Sequence, residues 1–115
     1  FNVPDTPKDE LYEIMKYRAQ KLETHFGHPV PPYPEDLLNM SGYMYLDMGQ
    51  AAKAKMFFEL CIEYYPSSAN AFDSLADYYE RQNDYASALQ AMTKAYALSG
   101  SKNHKERMEA LEKKN

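Results

Sequence analysis

The chain has 115 residues, a formal net charge of −4, and 44% hydrophobic and 26% charged side chains. This length suits one compact domain and is too short for a barrel or a doubly wound enzyme with its own cofactor cleft. The acidic balance argues against nucleic acid as a partner, since phosphate binding requires clustered Lys and Arg. No apolar run approaches the roughly 20 residues that span a bilayer, so no membrane contact is predicted. The single cysteine, Cys61, excludes an internal disulfide and leaves open a cytoplasmic or a periplasmic location.

The first predicted element is an amphipathic helix over about 7–26. Thr6 is a candidate N-cap, and Pro7 suits the first helical position. Apolar residues then recur every three or four positions, at Leu11, Met15, Ala19, Leu22 and Phe26. Gly27 ends this helix. Four prolines within residues 29–34 predict a stiff, extended connector, because proline fixes φ and removes the backbone donor.

From residue 35 onward the sequence repeats with a period of 34 residues. Residues of similar size coincide in the two copies: Leu38 with Phe72, Gly42 with Ala76, Tyr45 with Tyr79, Ala54 with Ala88, Phe58 with Met92, and Cys61 with Ala95. A turn signal divides each copy, at Gly49-Gln50 and at Asn83-Asp84, so each copy predicts a helix–turn–helix. We expect helices over about 35–48, 51–65, 69–82 and 85–98, and a last helix within 102–115.

The alternation of small and large residues explains why the two copies should pack closely. Gly42 and Ala76 lie between bulky residues on the first helix of each copy, where a small side chain lets a neighbouring helix approach. One such hairpin cannot bury both of its faces, so the copies are expected to stack. The first and last helices of the chain would then cover the two ends of the stack.

These residues carry a family resemblance. The spacing Leu38-x-x-Ser41-Gly42-x-x-Tyr45, then Ala54-x-x-x-Phe58 and Pro66, resembles the tetratricopeptide repeat, and residues 69–101 resemble a second copy. The resemblance implies an all-α, right-handed superhelix of antiparallel helix hairpins that binds proteins or peptides without catalysis or cofactor. It divides one compact domain into an N-terminal helix and connector (1–34), repeat 1 (35–68), repeat 2 (69–101) and a C-terminal capping helix (102–115).

A narrower resemblance comes from the order of a helix, a Gly- and Pro-rich connector, and the segments 34–43 and 65–75. This layout is similar to the tail that follows the catalytic domain in bacterial predicted α/β-superfamily hydrolases of the esterase type. It implies that the chain is the C-terminal part of a serine hydrolase whose catalytic residues lie upstream. A start at Phe1 instead of Met fits a piece of a longer protein. The alternatives are a stand-alone scaffold and an oligomerisation domain unrelated to a hydrolase.

The first helices of the two repeats define a candidate binding groove, which we call the inner face. Helical spacing places the following residues on it: Asp36, Asn39, Tyr43 and Leu46 in repeat 1, and Asn70, Asp73, Asp77 and Glu80 in repeat 2. Their acidic and amide groups predict a peptide or partner segment of polar to basic character. The alternatives are a solvated helix face and a face that packs on an upstream catalytic domain of the same chain.

No catalytic, metal or cofactor site is predicted. There is no Gly-x-Ser-x-Gly elbow, and Cys61 aligns with Ala95, as expected of a small buried packing residue. His25 and His28 lack a nearby third ligand and are expected to be surface histidines.

The methionines and tyrosines of repeat 1 mostly suit helix packing, although some of them must be exposed; they include Met40, Met44, Met48, Met56, Tyr43, Tyr64 and Tyr65. There are more of them than two short hairpins can bury, so an exposed aromatic–methionine patch would mark a contact surface. The candidates for docking on an upstream domain, or on a second copy in a homo-oligomer, are Tyr12, Tyr17, Tyr33, Tyr64 and Tyr65.

Overall fold

The computed structural model describes the backbone of residues 8–115 and the side chains of residues 12–115. This part of the chain forms six helices and no strand, which confirms the predicted all-α class. The helices are α1 (Lys8–Phe26), α2 (Glu35–Asp47), α3 (Ala51–Tyr64), α4 (Ala69–Arg81), α5 (Tyr85–Ser99) and α6 (Lys102–Glu112). The predicted cap at Thr6 and Pro7 lies outside the described residues, as does the side chain of Leu11.

The described residues divide into two compact units, one within residues 8–34 and one within 35–115. The first unit contains α1 and the connector, and the second contains both predicted repeats and the last helix. As predicted, α1 ends at Gly27, which has a left-handed φ of +77°. Its N–H donates to the carbonyl of Glu23 at 2.8 Å, so the end of the helix is closed by a backbone hydrogen bond.

Within the first unit, one arginine joins α1 to the Pro-rich connector. Arg18 Nε donates to the carbonyl of Pro32 at 3.3 Å. The same guanidinium lies 5.1 Å from the centre of the Tyr33 ring, a cation–π distance. The connector is therefore held beside the helix that precedes it.

The turns of the two repeats have the same backbone geometry. Gly49 and Asn83 occupy equivalent positions, and both are left-handed, with φ of +78° and +61°. In each turn the residue that follows the left-handed one donates its N–H to the carbonyl five positions before it, at 2.9 Å. This is the hydrogen bond of a Schellman motif. Asn83 tolerates the left-handed conformation better than most residues, and its side chain accepts a hydrogen bond from the Tyr85 hydroxyl at 3.1 Å. The repetition seen in the sequence therefore extends to the turns.

The closest approach within repeat 1 is between α2 and α3, at Gly42 and Phe58. Both residues are buried, and a Cβ built on Gly42 would lie 2.5 Å from Cε1 of Phe58. Repeat 2 has Ala76 and Met92 at the same positions, and both are fully buried. A flat aromatic ring thus requires a glycine opposite it, whereas an unbranched methionine leaves room for one methyl group.

The repeats are joined at the α3–α4 turn and closed by α6. Ser68 caps α4 by accepting the N–H of Ala71 at 3.2 Å, and its hydroxyl donates to the Glu35 carboxylate at 2.9 Å. Beyond repeat 2, Ser101 caps α6 by accepting the N–H of His104. Leu111 of α6 is buried in the core cluster of repeat 2, together with Ala76, Ala88, Ala91, Met92 and Ala95. The last helix therefore covers the end of the stack, as predicted.

The contact between Gly42 and Phe58 can be tested through the pairing found in repeat 2. We expect Gly42→Ala to lower the free energy of unfolding by about 1–2 kcal/mol, because overpacking costs more than the roughly 1 kcal/mol that alanine adds to a helix. Adding Phe58→Met should recover most of this loss. Urea unfolding followed by circular dichroism measures the double-mutant cycle. Equal effects of Gly42→Ala in the parent chain and in the Phe58→Met variant would show that the ring does not limit the approach.

Candidate functional site

The structure joins the two halves of the predicted inner face through Tyr43 of α2. Its hydroxyl lies against the side chains of Ser74 and Asp77 on α4. Burial raises the pKa of Tyr43, and the neighbouring carboxylates of Asp77 and Asp73 raise it further. The phenol is therefore held neutral, as a polar contact between the first helices of the two repeats.

Arg81 extends this contact toward the C-terminal ends of α2 and α4. Its guanidinium pairs with Asp77 at 3.5 Å and with Asp47 at 3.3 Å, and it lies 5.6 Å from the centre of the Tyr43 ring. Both ion pairs are partly or largely exposed, so each adds little stability by itself. Arg81 thus places a positive charge between Asp77 of the inner face and Asp47 at the end of α2.

The carboxylates of repeat 2 are engaged by α6. Arg107 forms ion pairs with Asp73 and with Glu80, the latter at 3.5 Å, and His104 Nε2 lies 3.0 Å from Asp73. Burial lowers the pKa of Arg107, but its hydrogen bonds to Asp73 and Glu80 outweigh this effect, and the pKa is raised. Two of the predicted acidic positions are therefore occupied within the chain by the capping helix.

The remaining predicted positions differ in their surroundings. Asp36 and Asn70 are exposed, one near the start of each first helix. Asn39 is half-buried, and its Oδ1 is buried without a hydrogen-bond partner among the described residues. Leu46 packs against the core cluster that contains Phe58, so it supports the hairpin and offers little surface to a ligand.

The pairing with α6 was not predicted from the sequence, although the sequence contains a signal for it. Asp73 and Arg107 are 34 residues apart, and so are Asp47 and Arg81. A side chain at one repeat position lies beside the side chain found one period later, because the first helices of the two repeats, and α6 after them, lie side by side. Opposite charges separated by one repeat period therefore indicate ion pairs between successive helices of the stack.

Ser99, His104 and Asp73 are ordered like the groups of a hydrolytic triad. Ser99 Oγ lies 2.6 Å from His104 Nδ1, and the other ring nitrogen faces Asp73. However, Ser99 is the last residue of α5, where the negative end of the helix dipole opposes an alkoxide. Its Oγ also accepts the N–H of Ser101 at 3.1 Å, and Arg107 holds the carboxylate. These groups fasten the α5–α6 turn to α4.

Cys61 and the histidines are placed as the sequence indicated. Cys61 is 1% exposed, and burial raises the pKa of its thiol to about 11. His25 and His28 are exposed at the end of α1. Within the described residues, no three metal-ligating side chains come together, and none of the helices is long and apolar enough to cross a membrane.

Some methionines and tyrosines of repeat 1 are expected to be exposed, and the exposed ones are three methionines. Met56 is buried and Tyr43, Tyr64 and Tyr65 are partly buried, whereas Met40, Met44 and Met48 are exposed. These three share the outer side of α2, which the rest of the stack does not cover. Among the predicted docking tyrosines Tyr17 is exposed, and Tyr12, Tyr33, Tyr64 and Tyr65 are partly buried.

Comparison with known proteins agrees with the repeat spacing. Residues 35–68 and 69–102 each match the family model described as the tetratricopeptide repeat. The two matches together cover more than half of the chain. Among curated proteins, none matches the chain.

The ion pair between Arg107 and Asp73 should stabilise the docking of α6. We expect Arg107→Ala and Asp73→Ala to be coupled by about 1 kcal/mol in urea unfolding, because both side chains are less than one-third exposed. The matched control is the exposed pair Arg81 and Asp47, for which a coupling below about 0.5 kcal/mol is expected. Equal coupling in the two cycles would contradict a special role for the α4–α6 pair.

Burial should protect Cys61 from thiol reagents. With a pKa raised from 9.0 to about 11, its thiolate fraction at pH 8 is on the order of 100-fold below that of an exposed thiol. We expect labelling by a disulfide reagent to be slower by at least that factor in buffer than in denaturant. N-acetylcysteine under both conditions controls for the solvent. Complete labelling of the folded chain within seconds would be inconsistent with this burial.

Proposed function

The chain belongs to the tetratricopeptide repeat family, and we propose that it is a non-catalytic interaction module whose inner face binds a polar to basic peptide or partner segment. Members of the family generally act in protein–protein interaction and are not enzymes, which supports this assignment. A partner segment from an upstream domain of the same protein would use the same surface.

The proposal of a basic ligand rests on the negative charge of α2. This helix has three carboxylates, at Glu35, Asp36 and Asp47, and no basic residue. In repeat 2, Arg107 of α6 pairs with Asp73 and Glu80. In repeat 1, Asp36 is exposed, and its own helix offers no cation. The open negative charge therefore lies mainly at the α2 side of the inner face.

Asn39 adds a hydrogen-bond acceptor beside this charge. A buried acceptor without a partner costs about 1–3 kcal/mol, so a rotation of the Asn39 side chain that turns Oδ1 toward a ligand donor would remove that cost. A lysine ammonium, an arginine guanidinium or a peptide N–H supplies such a donor. The proposed ligand would thus place one donor at Asn39 and a positive charge near Asp36, about one helical turn away.

Peptide binding tests this assignment. We expect an unstructured Lys- and Arg-rich peptide to bind more tightly than a Glu- and Asp-rich peptide of the same length, measured by fluorescence anisotropy at low salt. Asp36→Lys should weaken the binding at least about fivefold, whereas Glu112→Lys, the same charge change on the exposed side of α6, should have a smaller effect. Tighter binding of the acidic peptide, or equal loss in both variants, would refute a basic ligand at this face.

We also propose that the module is the C-terminal part of a larger α/β hydrolase of the esterase type. The support is the order of helix, Pro-rich connector and repeats in the sequence. The residues encoded before Phe1 test the proposal directly, since a serine-elbow motif a few hundred positions upstream is expected. Without that motif, the chain is a stand-alone scaffold or an oligomerisation domain. In either case, these 115 residues alone should not hydrolyse a simple ester.

A further inference from the structure

A second surface, separate from the inner face, lies on the outer side of α2. We define the methionine stripe as the row Leu37, Met40, Met44 and Met48, whose members are between 47% and 68% exposed. Their spacing of three or four residues places them on one side of the helix. Four large apolar side chains in a continuous row on one helix are unusual for a surface that contacts only water.

The repeat shows what this side of a first helix does when it is covered. One period further along, the positions of Leu37, Met40 and Met44 are taken by Ala71, Ser74 and Tyr78 of α4, in that order. All three α4 residues are at most 8% exposed.

The covering contacts on α4 come from repeat 1. Tyr78 packs on Phe58 and Ala54 of α3, with a distance of 6.2 Å between the centres of the Tyr78 and Phe58 rings. Ser74 faces Tyr43 of α2. The corresponding side of α2 therefore has the position, and the apolar character, of a surface on which another helix packs.

We propose that the methionine stripe binds an amphipathic helix of a partner protein whose apolar side is bordered by Lys and Arg. A helical partner follows from the equivalent α4 surface, which is covered by α3. Methionine side chains are flexible and polarisable, so they can fit a partner helix of different shape. The basic border follows from the carboxylates of α2, which has no cation of its own. Glu35 and Asp36 precede the stripe, and Asp47 near its end shares the single cation of Arg81 with Asp77.

The same charges disfavour a second copy of this chain as the occupant. In an antiparallel pair of α2 helices, Asp36 of one copy would lie near the group of Asp47, Asp77 and Arg81 of the other, in which two carboxylates share one cation. In a parallel pair, each carboxylate would meet its own equivalent. Like charges in contact are unfavourable in both arrangements, whereas Lys or Arg on a partner helix would be attracted to them.

A pair of designed helical peptides of about 18 residues, or roughly five turns, tests the proposal on the full chain. Both carry leucines at the same helical spacing, with lysine at every polar position in one and glutamate in the other. We expect the Leu/Lys peptide to bind at a 1:1 ratio, at least tenfold more tightly than the Leu/Glu peptide by anisotropy, and to gain helix content by circular dichroism.

Variants test whether binding of the helical peptide requires the methionine stripe, as distinct from non-specific hydrophobic adsorption and from binding at the inner face. The double variant Met40→Gln and Met44→Gln removes apolar surface without changing the net charge. It should fold normally, because both side chains are exposed, and should lose at least tenfold in affinity for the Leu/Lys peptide. Leu98→Gln, at an exposed leucine of α5 outside the stripe, is the control and should bind as the parent chain does. Binding of the unstructured basic peptide to the inner face should survive the double methionine variant, so the two proposals can fail separately.

Three results would overturn the proposal. The double methionine variant could bind the Leu/Lys peptide as tightly as the parent chain does. Leu98→Gln could weaken binding by the same factor as the methionine variant. Alternatively, size-exclusion chromatography with light scattering could show a dimer of the parent chain that Met44→Lys dissociates, which would identify a second copy as the occupant.

Discussion

The contact between Gly42 and Phe58 sets the distance between the helices of the first hairpin, and the second hairpin depends on it. Phe58 packs on Gly42 from one side and on Tyr78 of repeat 2 from another. Its ring therefore takes part both in the packing within repeat 1 and in the packing between repeats. A hairpin opened at Gly42 would move Phe58 away from α4, and the polar contacts made by Tyr43 would lose their geometry.

The fold could be predicted from the sequence because its determinants are local and periodic. Apolar spacing located the helices, Gly49 and Asn83 located the turns, and the period of 34 residues showed that the hairpins are copies. The family match over residues 35–68 and 69–102 agrees with this period. Gly42 and Ala76 are buried as expected, since a small residue between large ones on a helix marks a close approach whatever the rest of the chain does.

The candidate site was less predictable, because its properties depend on which helices lie side by side. Helical spacing placed Asp73 and Glu80 together on α4, but it did not show that Arg107 of α6 would meet both. Likewise, spacing grouped the methionines of α2 without showing that the other helices of residues 35–115 leave them uncovered. A helix's own sequence shows which residues share a side. Which sides are covered depends on the number of helices in the stack and on their order.

The ion pairs between equivalent positions also constrain the helices that carry them. Asp47 and Arg81, and Asp73 and Arg107, meet because each pair occupies the same position of successive helices, one full period of 34 residues apart. Inserting or deleting a single residue within α4 or α6, ahead of its arginine, would rotate that arginine by about 100° around the helix relative to the residues before it. The guanidinium would then point away from the carboxylate. Length variation in this protein is therefore expected in the segments between helices and excluded from the interiors of α4 and α6.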